Sequence, residues 1–210
     1  MIFTIGKHKV KCGSITQGIS DLMGEEKAHI IYSDPPWGPG NIKYWETLNK
    51  KMTGQAKPNI EFEKFLNSFF SILNTYAENL VFIEYGIKWV DVIKKYSESH
   101  GFKYLNILTQ TYKSGSKYLP NHLHIIAKNP AEYVYLMSNE YKNSLKESTG
   151  LNMVINAIEP VAQAGKIILD PCCGMGYTAR AGLKYDMIFR GNEINLERLN
   201  KTKKVLNEDL

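Results

Sequence analysis

The stretch Lys166-Ile-Ile-Leu-Asp170-Pro171-Cys172-Cys173-Gly174-Met175-Gly176-Tyr177-Thr178-Ala179 limits the fold more than any other segment. A short β-branched run ends in an acid, two glycines follow, and a helix-forming run starts at once. Glycines let the backbone turn tightly and come close to a bound group, beside the positive end of the next helix. Strand, glycine turn and helix in that order predict a unit of an α/β sheet. Only 34 residues follow Gly176, enough for a helix, a strand and one last helix. The unit that opens a dinucleotide-binding sheet thus stands at the end of the chain. The other strands must come from the sequence ahead of it, so the order is expected to be circularly permuted.

Short apolar runs supply those strands: Ala28–Ser33, Leu80–Glu84, Leu123–Ala127, Lys166–Leu169 and Met187–Arg190. Each is brief, β-branched or aromatic, and bounded by turn residues. Helical spacing links Phe62, Phe65, Leu66, Phe69, Phe70 and Leu73, with Asn59 as the expected N-cap. That stripe reads as core. Ile87–Tyr96, Leu151–Ala164, Thr178–Tyr185 and Leu196–Leu206 also read as helices. A mostly parallel sheet with helices on both faces is therefore expected, in a single domain over 1–210. Gly38–Asn59 is polar and turn-rich and reads as a mobile loop, while residues 112–148 read as a small substrate-recognition region.

Composition excludes several classes. With 43% hydrophobic and 22% charged residues the chain is an ordinary globular one. No apolar run reaches the roughly 18 residues needed to span a bilayer, and the amino terminus lacks a signal-peptide core. The expected location is therefore cytoplasmic, with no membrane partner. Three cysteines, two of them adjacent, make neither a disulfide framework nor a zinc site, so no metal is expected. The net charge of +5 is unevenly placed, being +3 over residues 1–20, +3 over 38–59 and +4 over 99–131. Such separation suits a polyanion, and Lys43, Lys50, Lys51, Lys113 and Lys117 are the candidate nucleic-acid contacts.

Two motifs carry chemistry. Taken alone, G-x-G-x-x-A fits a nicotinamide-binding unit, but Asp170 four residues ahead of the first glycine suits a cationic amino-acid ligand better than a pyrophosphate. Glu193 closes the next strand, where a carboxylate can accept two hydrogen bonds from a ribose diol. Asp34-Pro35-Pro36-Trp37 ends the strand Ala28–Ser33. Proline cannot continue a central strand, so this tetrad lies at the carboxyl edge where open α/β sheets bind ligands. A rigid carboxylate, a rigid carbonyl and an aromatic ring together can hold a planar, amine-bearing base.

These residues resemble those of the permuted, beta-class-like S-adenosylmethionine-dependent adenine-N6 DNA methyltransferases. Asp34-Pro35-Pro36-Trp37 matches the D-P-P-[YFW] tetrad, Asp170 to Gly176 resembles D-P-F-x-G-x-G, and Gly191-Asn192-Glu193-Ile194-Asn195 is similar to the following G-x-E-x-N strand. The likeness runs from about residue 8 to 208. Cys172 departs from the usual phenylalanine, and Ser14 from an aspartate usual near the cofactor's adenine. The resemblance implies a single Rossmann-like methyltransferase domain that binds S-adenosyl-L-methionine through Asp170, Pro171, Cys172, Gly174, Gly176, Asn192, Glu193 and Asn195. It implies that Asp34, Pro35, Pro36 and Trp37 are catalytic, and an acid heading the tetrad leans towards adenine N6. DNA is the expected partner. RNA methylation, a non-catalytic nucleic-acid-binding subunit and a nicotinamide dehydrogenase are the competing readings, and a dimer or a separate specificity subunit is left open.

Overall fold

The computed structural model describes residues 1–53, 61–114, 117–146 and 148–208. Its strands are β1 (Ile2–Ile5), β2 (His8–Cys12), β3 (Ala28–Ser33), β4 (Ala77–Gly86), β5 (Lys103–Ser114), β6 (Lys117–Ala127), β7 (Ile167–Asp170) and β8 (Ile188–Glu193). All eight form one sheet in the order β1-β2-β8-β7-β3-β4-β6-β5. β2, β8, β7, β3 and β4 are mutually parallel. β1 adds an antiparallel strand at one edge, and the β5–β6 hairpin adds two at the other. The expected mostly parallel α/β fold is the one observed, with the glycine-turn strand β7 directly beside β3.

The helices are α1 (Ser20–Met23), α2 (Pro39–Thr53), α3 (Phe62–Tyr76), α4 (Val90–Ser99), α5 (Asn139–Leu145), α6 (Leu151–Ile158), α7 (Tyr177–Lys184) and α8 (Leu196–Asn207). They divide between the faces by position in the chain. On one face Leu22, Phe65, Leu66, Phe69, Phe70 and Leu73 meet Ile31, Val81, Ile83 and Leu169. On the other Met153, Val154, Ala157, Ala179 and Leu199 meet Ile30, Leu80, Phe82, Ile168 and Phe189. The phenylalanine stripe is indeed core, because a three-to-four-residue spacing turns one side of α3 towards the sheet throughout.

Several expected boundaries differ. Residues 39–53 are helical rather than a loop. Pro39 stands at the first helical position, where its fixed φ favours a helix and its missing N–H is not needed. Ile42 then buries itself on the sheet. Residues 54–59, including the expected N-cap Asn59, lie outside the described residues, and α3 begins after Glu61. The helix expected over 151–164 ends at Ile158, two residues before Pro160, which cannot donate the next backbone bond. The region 112–148 contains the hairpin end, a 3-10 turn over Pro130–Met137 and α5. β5 escapes sequence reading because its apolar pairs Tyr104-Leu105 and Ile107-Leu108 are broken by Asn106 and followed by the polar run Thr109-Gln110-Thr111, which gives neither a continuous apolar run nor an alternation.

Candidate active site

Five parallel strands bring their carboxyl ends to one edge, and the chemistry-bearing residues gather there. Asp34 follows β3, between the glycine turn after β7 and the end of β4. The Trp37 indole N–H donates to Asp34 Oδ1 at 2.8 Å. The Trp37 backbone N–H donates to Asn41 Oδ1 at 3.2 Å, and the Tyr85 hydroxyl donates to the Pro36 carbonyl at 2.8 Å. Gly86 leaves room for the Trp37 ring, since a Cβ there would lie 3.2 Å from it. The tetrad is thus tied to α2 and β4, and Trp37 orients the carboxylate in addition to offering a ring.

The Asp34 carboxyl keeps an open, solvent-facing side. The crowd of protein atoms around it pushes its pKa well up, the Glu84 carboxylate pushes further and Asp170 adds to this, while Trp37 and Arg198 pull the other way. The sequence marks Glu84 only as a strand residue. Its Oε1 accepts from the Tyr32 hydroxyl at 2.6 Å and its Oε2 from Asn121 Nδ2 at 3.1 Å.

On the other side, Asp170 is 4% exposed. Its Oδ1 accepts from the Ser33 hydroxyl at 2.9 Å and the Cys172 N–H at 3.0 Å, and its Oδ2 accepts from the Thr178 hydroxyl at 2.6 Å. These bonds join β3, the glycine turn and α7. Gly174 and Gly176 take φ of +52° and +86°, a region costly for any residue with a Cβ. A Cβ on Gly174 would also lie 2.7 Å from Arg198 Nη2. Arg198 therefore reaches from α8 over the turn, and its charge also pulls the Asp34 pKa down. No local sequence signal marks it.

Glu193 is more tightly engaged than a free ribose acceptor. Its Oε2 accepts from the Gly174 N–H at 3.0 Å and its Oε1 from the Asn195 N–H at 2.8 Å. Asn195 caps α8 by accepting from the Arg198 N–H at 3.0 Å. Asn192 donates to the Pro171 carbonyl at 3.1 Å, and its buried Oδ1 has no hydrogen-bond partner among the described residues. An orphaned buried acceptor, a glycine cradle and exposed Met175 and Tyr177 on its rim fit a polar ligand with an apolar portion. Ser14 turns inward and caps the Ile15–Gln17 turn. Burial holds the Cys172 thiol protonated, well above its ordinary range, so it is no ready nucleophile. Among the described residues no group of His, Cys, Asp and Glu is placed to hold a metal ion, and no helix is long and apolar enough to cross a membrane.

The basic segments are only partly available to a polyanion. Lys7 pairs with Asp186, Lys11 is buried against Asp21 at 2.6 Å, and Lys128 donates to the carbonyls of Asn74 and Ala77. Burial also drops the His124 pKa to about 3, so this histidine is neutral. Lys43 and Lys50 are exposed on α2. Lys113 and Lys117 belong to the hairpin end, which runs beyond the Gly86–Asn121 pair and hence past the edge of the sheet that carries Asp34. The side chains of Lys51, Lys113 and Lys117 lie outside the described ones.

No family model matches the chain, and no curated protein matches it in sequence. Solved structures do match in fold. An M1.HpyAVI–SAM complex is similar with a TM-score of 0.68 and 16% identity, over 94% of this chain and 98% of that one. TTHA0409 from Thermus thermophilus, complexed with S-adenosyl-L-methionine, gives 0.63 and 14%, over 96% and 94%. The PvuII DNA methyltransferase, cytosine-N4-specific, gives 0.65 and 11%, over 98% and 92%. The fold is therefore the Rossmann-like one of these methyltransferases.

Proposed function

We propose that this protein transfers a methyl group from S-adenosylmethionine to the exocyclic N6 amine of adenine in DNA. The observation that carries the reading is Asp34, oriented by Trp37 at the sheet edge one strand away from the glycine turn. The shared fold of solved methyltransferases that carry S-adenosylmethionine supports the cofactor. Asp170, Pro171, Cys172, Gly174, Gly176, Asn192, Glu193 and Asn195 would hold it. When bound, it supplies an electrophilic methyl on a sulfonium.

The chain's own residues act on the amine. Adenine's exocyclic nitrogen is a poor nucleophile because its lone pair is delocalised into the ring. The Asp34 carboxylate and the Pro35 carbonyl each accept one of its N–H bonds, which localises the lone pair on the side away from them. Because both acceptors are fixed before substrate arrives, the gain comes from positioning and electrostatics. Trp37 stacks on the base while holding Asp34. In duplex DNA the base must leave the helix first, at a cost of a few kcal/mol.

Methyl transfer from labelled cofactor to duplex DNA, single-stranded DNA and RNA, followed by identification of the modified base, tests the reading. N6-methyladenine from DNA is expected. N4-methylcytosine would change the target, label in RNA alone would change the polymer, and no label in any of them would sink the enzyme reading. Asp34→Ala should lose about 100-fold or more of the rate while calorimetry finds cofactor affinity unchanged.

A further inference from the structure

Glu84 is an expensive residue in its place. Ser33 pairs with Ile83 in the parallel register of β3 and β4, so Asp34 and Glu84 are the next residues along adjacent strands. Strand alternation puts Glu84 on the same face as Phe82 and Leu80, above the core that also holds Tyr32. Both its oxygens are anchored, one by Tyr32, which is 1% exposed, and one by Asn121, which is 1% exposed. A second carboxylate beside a crowded first one opposes folding, and a glutamine or leucine there would avoid the repulsion. Burial raises the Glu84 pKa as well. Such a pair at the substrate edge points to function.

We infer that Glu84 is a positioning residue for methyl transfer: held by Tyr32 and Asn121 one strand from Asp34, it makes Asp34 the group that takes the proton from the methylated amine. The inference rests on the proposed reaction. Methylation forms an N–C bond, breaks the donor's S–C bond and leaves a positive charge on the amine nitrogen. One N–H bond then breaks, its electron pair returns to nitrogen, and the proton passes to the Asp34 oxygen already accepting it. An ordinary aspartate is a feeble base for this. Asp34 faces Glu84 and Tyr85 from β4, Tyr32 from β3, Asp170 from β7, Cys172 from the glycine turn, the Arg198 guanidinium from α8 and the Trp37 N–H. Glu84 faces Tyr32 from β3 and Asn121 from β6. Of these neighbours, Glu84 contributes the strongest charge repulsion on Asp34.

The test is the pH dependence of turnover in wild type and Glu84→Gln, together with carbon-13 titration of the Asp34 carboxyl in the free proteins. Glutamine keeps an oxygen for Tyr32 but removes the charge. The acid limb of kcat should move to lower pH by about one unit, a tenfold loss of proton affinity at Asp34. The wild-type Asp34 signal should titrate in two steps, reporting Glu84 as well as itself. An acid limb that stays in place while activity merely falls, or a single ordinary carboxylate titration of Asp34 in wild type, would overturn the role. Wild type that methylates nothing would instead defeat the proposed reaction. If Glu84→Gln does not fold, the wild-type titration alone decides.

Discussion

Asp170 accepts three hydrogen bonds, yet burial lifts its pKa to about 6 from the ordinary 3.8, with the Glu193 carboxylate adding a little. A carboxyl that holds its proton more tightly when folded favours the folded state at low pH. That contribution is full below about pH 4 and is lost as the pH rises through about 6. The shift corresponds to about 3 kcal/mol. Wild type should therefore lose about that much stability relative to Asp170→Asn between pH 4 and 7, read by denaturant unfolding at each pH. A constant gap would show that Asp170 does not titrate there. Glu193 teaches a different lesson. Its spacing after Gly174 marks it as a ligand carboxylate, but the bonds to the Gly174 and Asn195 N–H groups connect strand, turn and helix in three dimensions and leave no local trace. Glu193→Ala removes an acceptor worth about 1.5–3 kcal/mol per charged hydrogen bond. Cofactor affinity in calorimetry should drop about tenfold or more with the fold retained, and an unchanged Kd would take Glu193 out of the site. Glu84 and Arg198 are likewise invisible in the sequence, because what matters about them is the neighbour that folding supplies.

Among the strands buried on both faces, β3 is legible to the residue and β7 to within one, whereas β4 runs over Ala77–Gly86 around the expected Leu80–Glu84 and β8 runs on from the expected Arg190 to Glu193. β3 and β7 read well because a continuous apolar run with abrupt polar ends leaves little else for so short a segment to form, and the glycine turn between β7 and α7 follows from its own backbone demands. Elements whose pattern depends on neighbours are not legible. β5 is half exposed and gains its identity by pairing with β6, and α2 looks like a loop until Ile42 has a surface to cover. That second difference alters the expected handling of DNA. Lysines on a helix that starts just behind Trp37 are presented without the ordering cost a loop would bear. Positions 43, 50 and 51 fall within one stripe of the helix. Each phosphate contact contributes a slope near −0.9 in log affinity against log salt on duplex DNA, and about −0.7 on single strands. Replacing Lys43, Lys50 and Lys51 by alanine should flatten the duplex slope by up to about 2.7 and leave cofactor affinity alone. Wild-type affinity and slope in the triple variant would mean that this stripe faces solvent only.

At the scale of the whole molecule, the permuted order makes the two ends of the chain depend on each other. β2 lies beside β8, β3 beside β7, and so the Asp-Pro-Pro-Trp tetrad near the start sits next to glycines that come over a hundred residues later. The join is reinforced off the sheet. The buried Arg190 guanidinium, 4% exposed, donates to both Glu26 oxygens at 2.9 Å and to the Lys7 carbonyl at 2.8 Å, while His8 Nδ1 accepts from the Phe189 N–H at 3.0 Å. Glu26 itself is 41% exposed, so the pair is only partly desolvated and the 3–5 kcal/mol lost on breaking a buried pair must be discounted. Glu26→Gln leaves Arg190 buried without its counter-charge and should cost about 1–2 kcal/mol at neutral pH. The pH dependence identifies the cause. Arg190 holds the Glu26 pKa below its ordinary 4.5, so wild type keeps the ion pair above that range and loses it as the pH falls through the lowered value. The stability difference between wild type and Glu26→Gln, measured by denaturant unfolding, should therefore be full at pH 7 and fade in strong acid, where the wild-type glutamate is neutral too. A difference that persists there would assign the effect to side-chain fit and not to charge. Both halves should unfold in one transition in either protein, since separating β2 from β8 exposes the core on both faces of a single sheet.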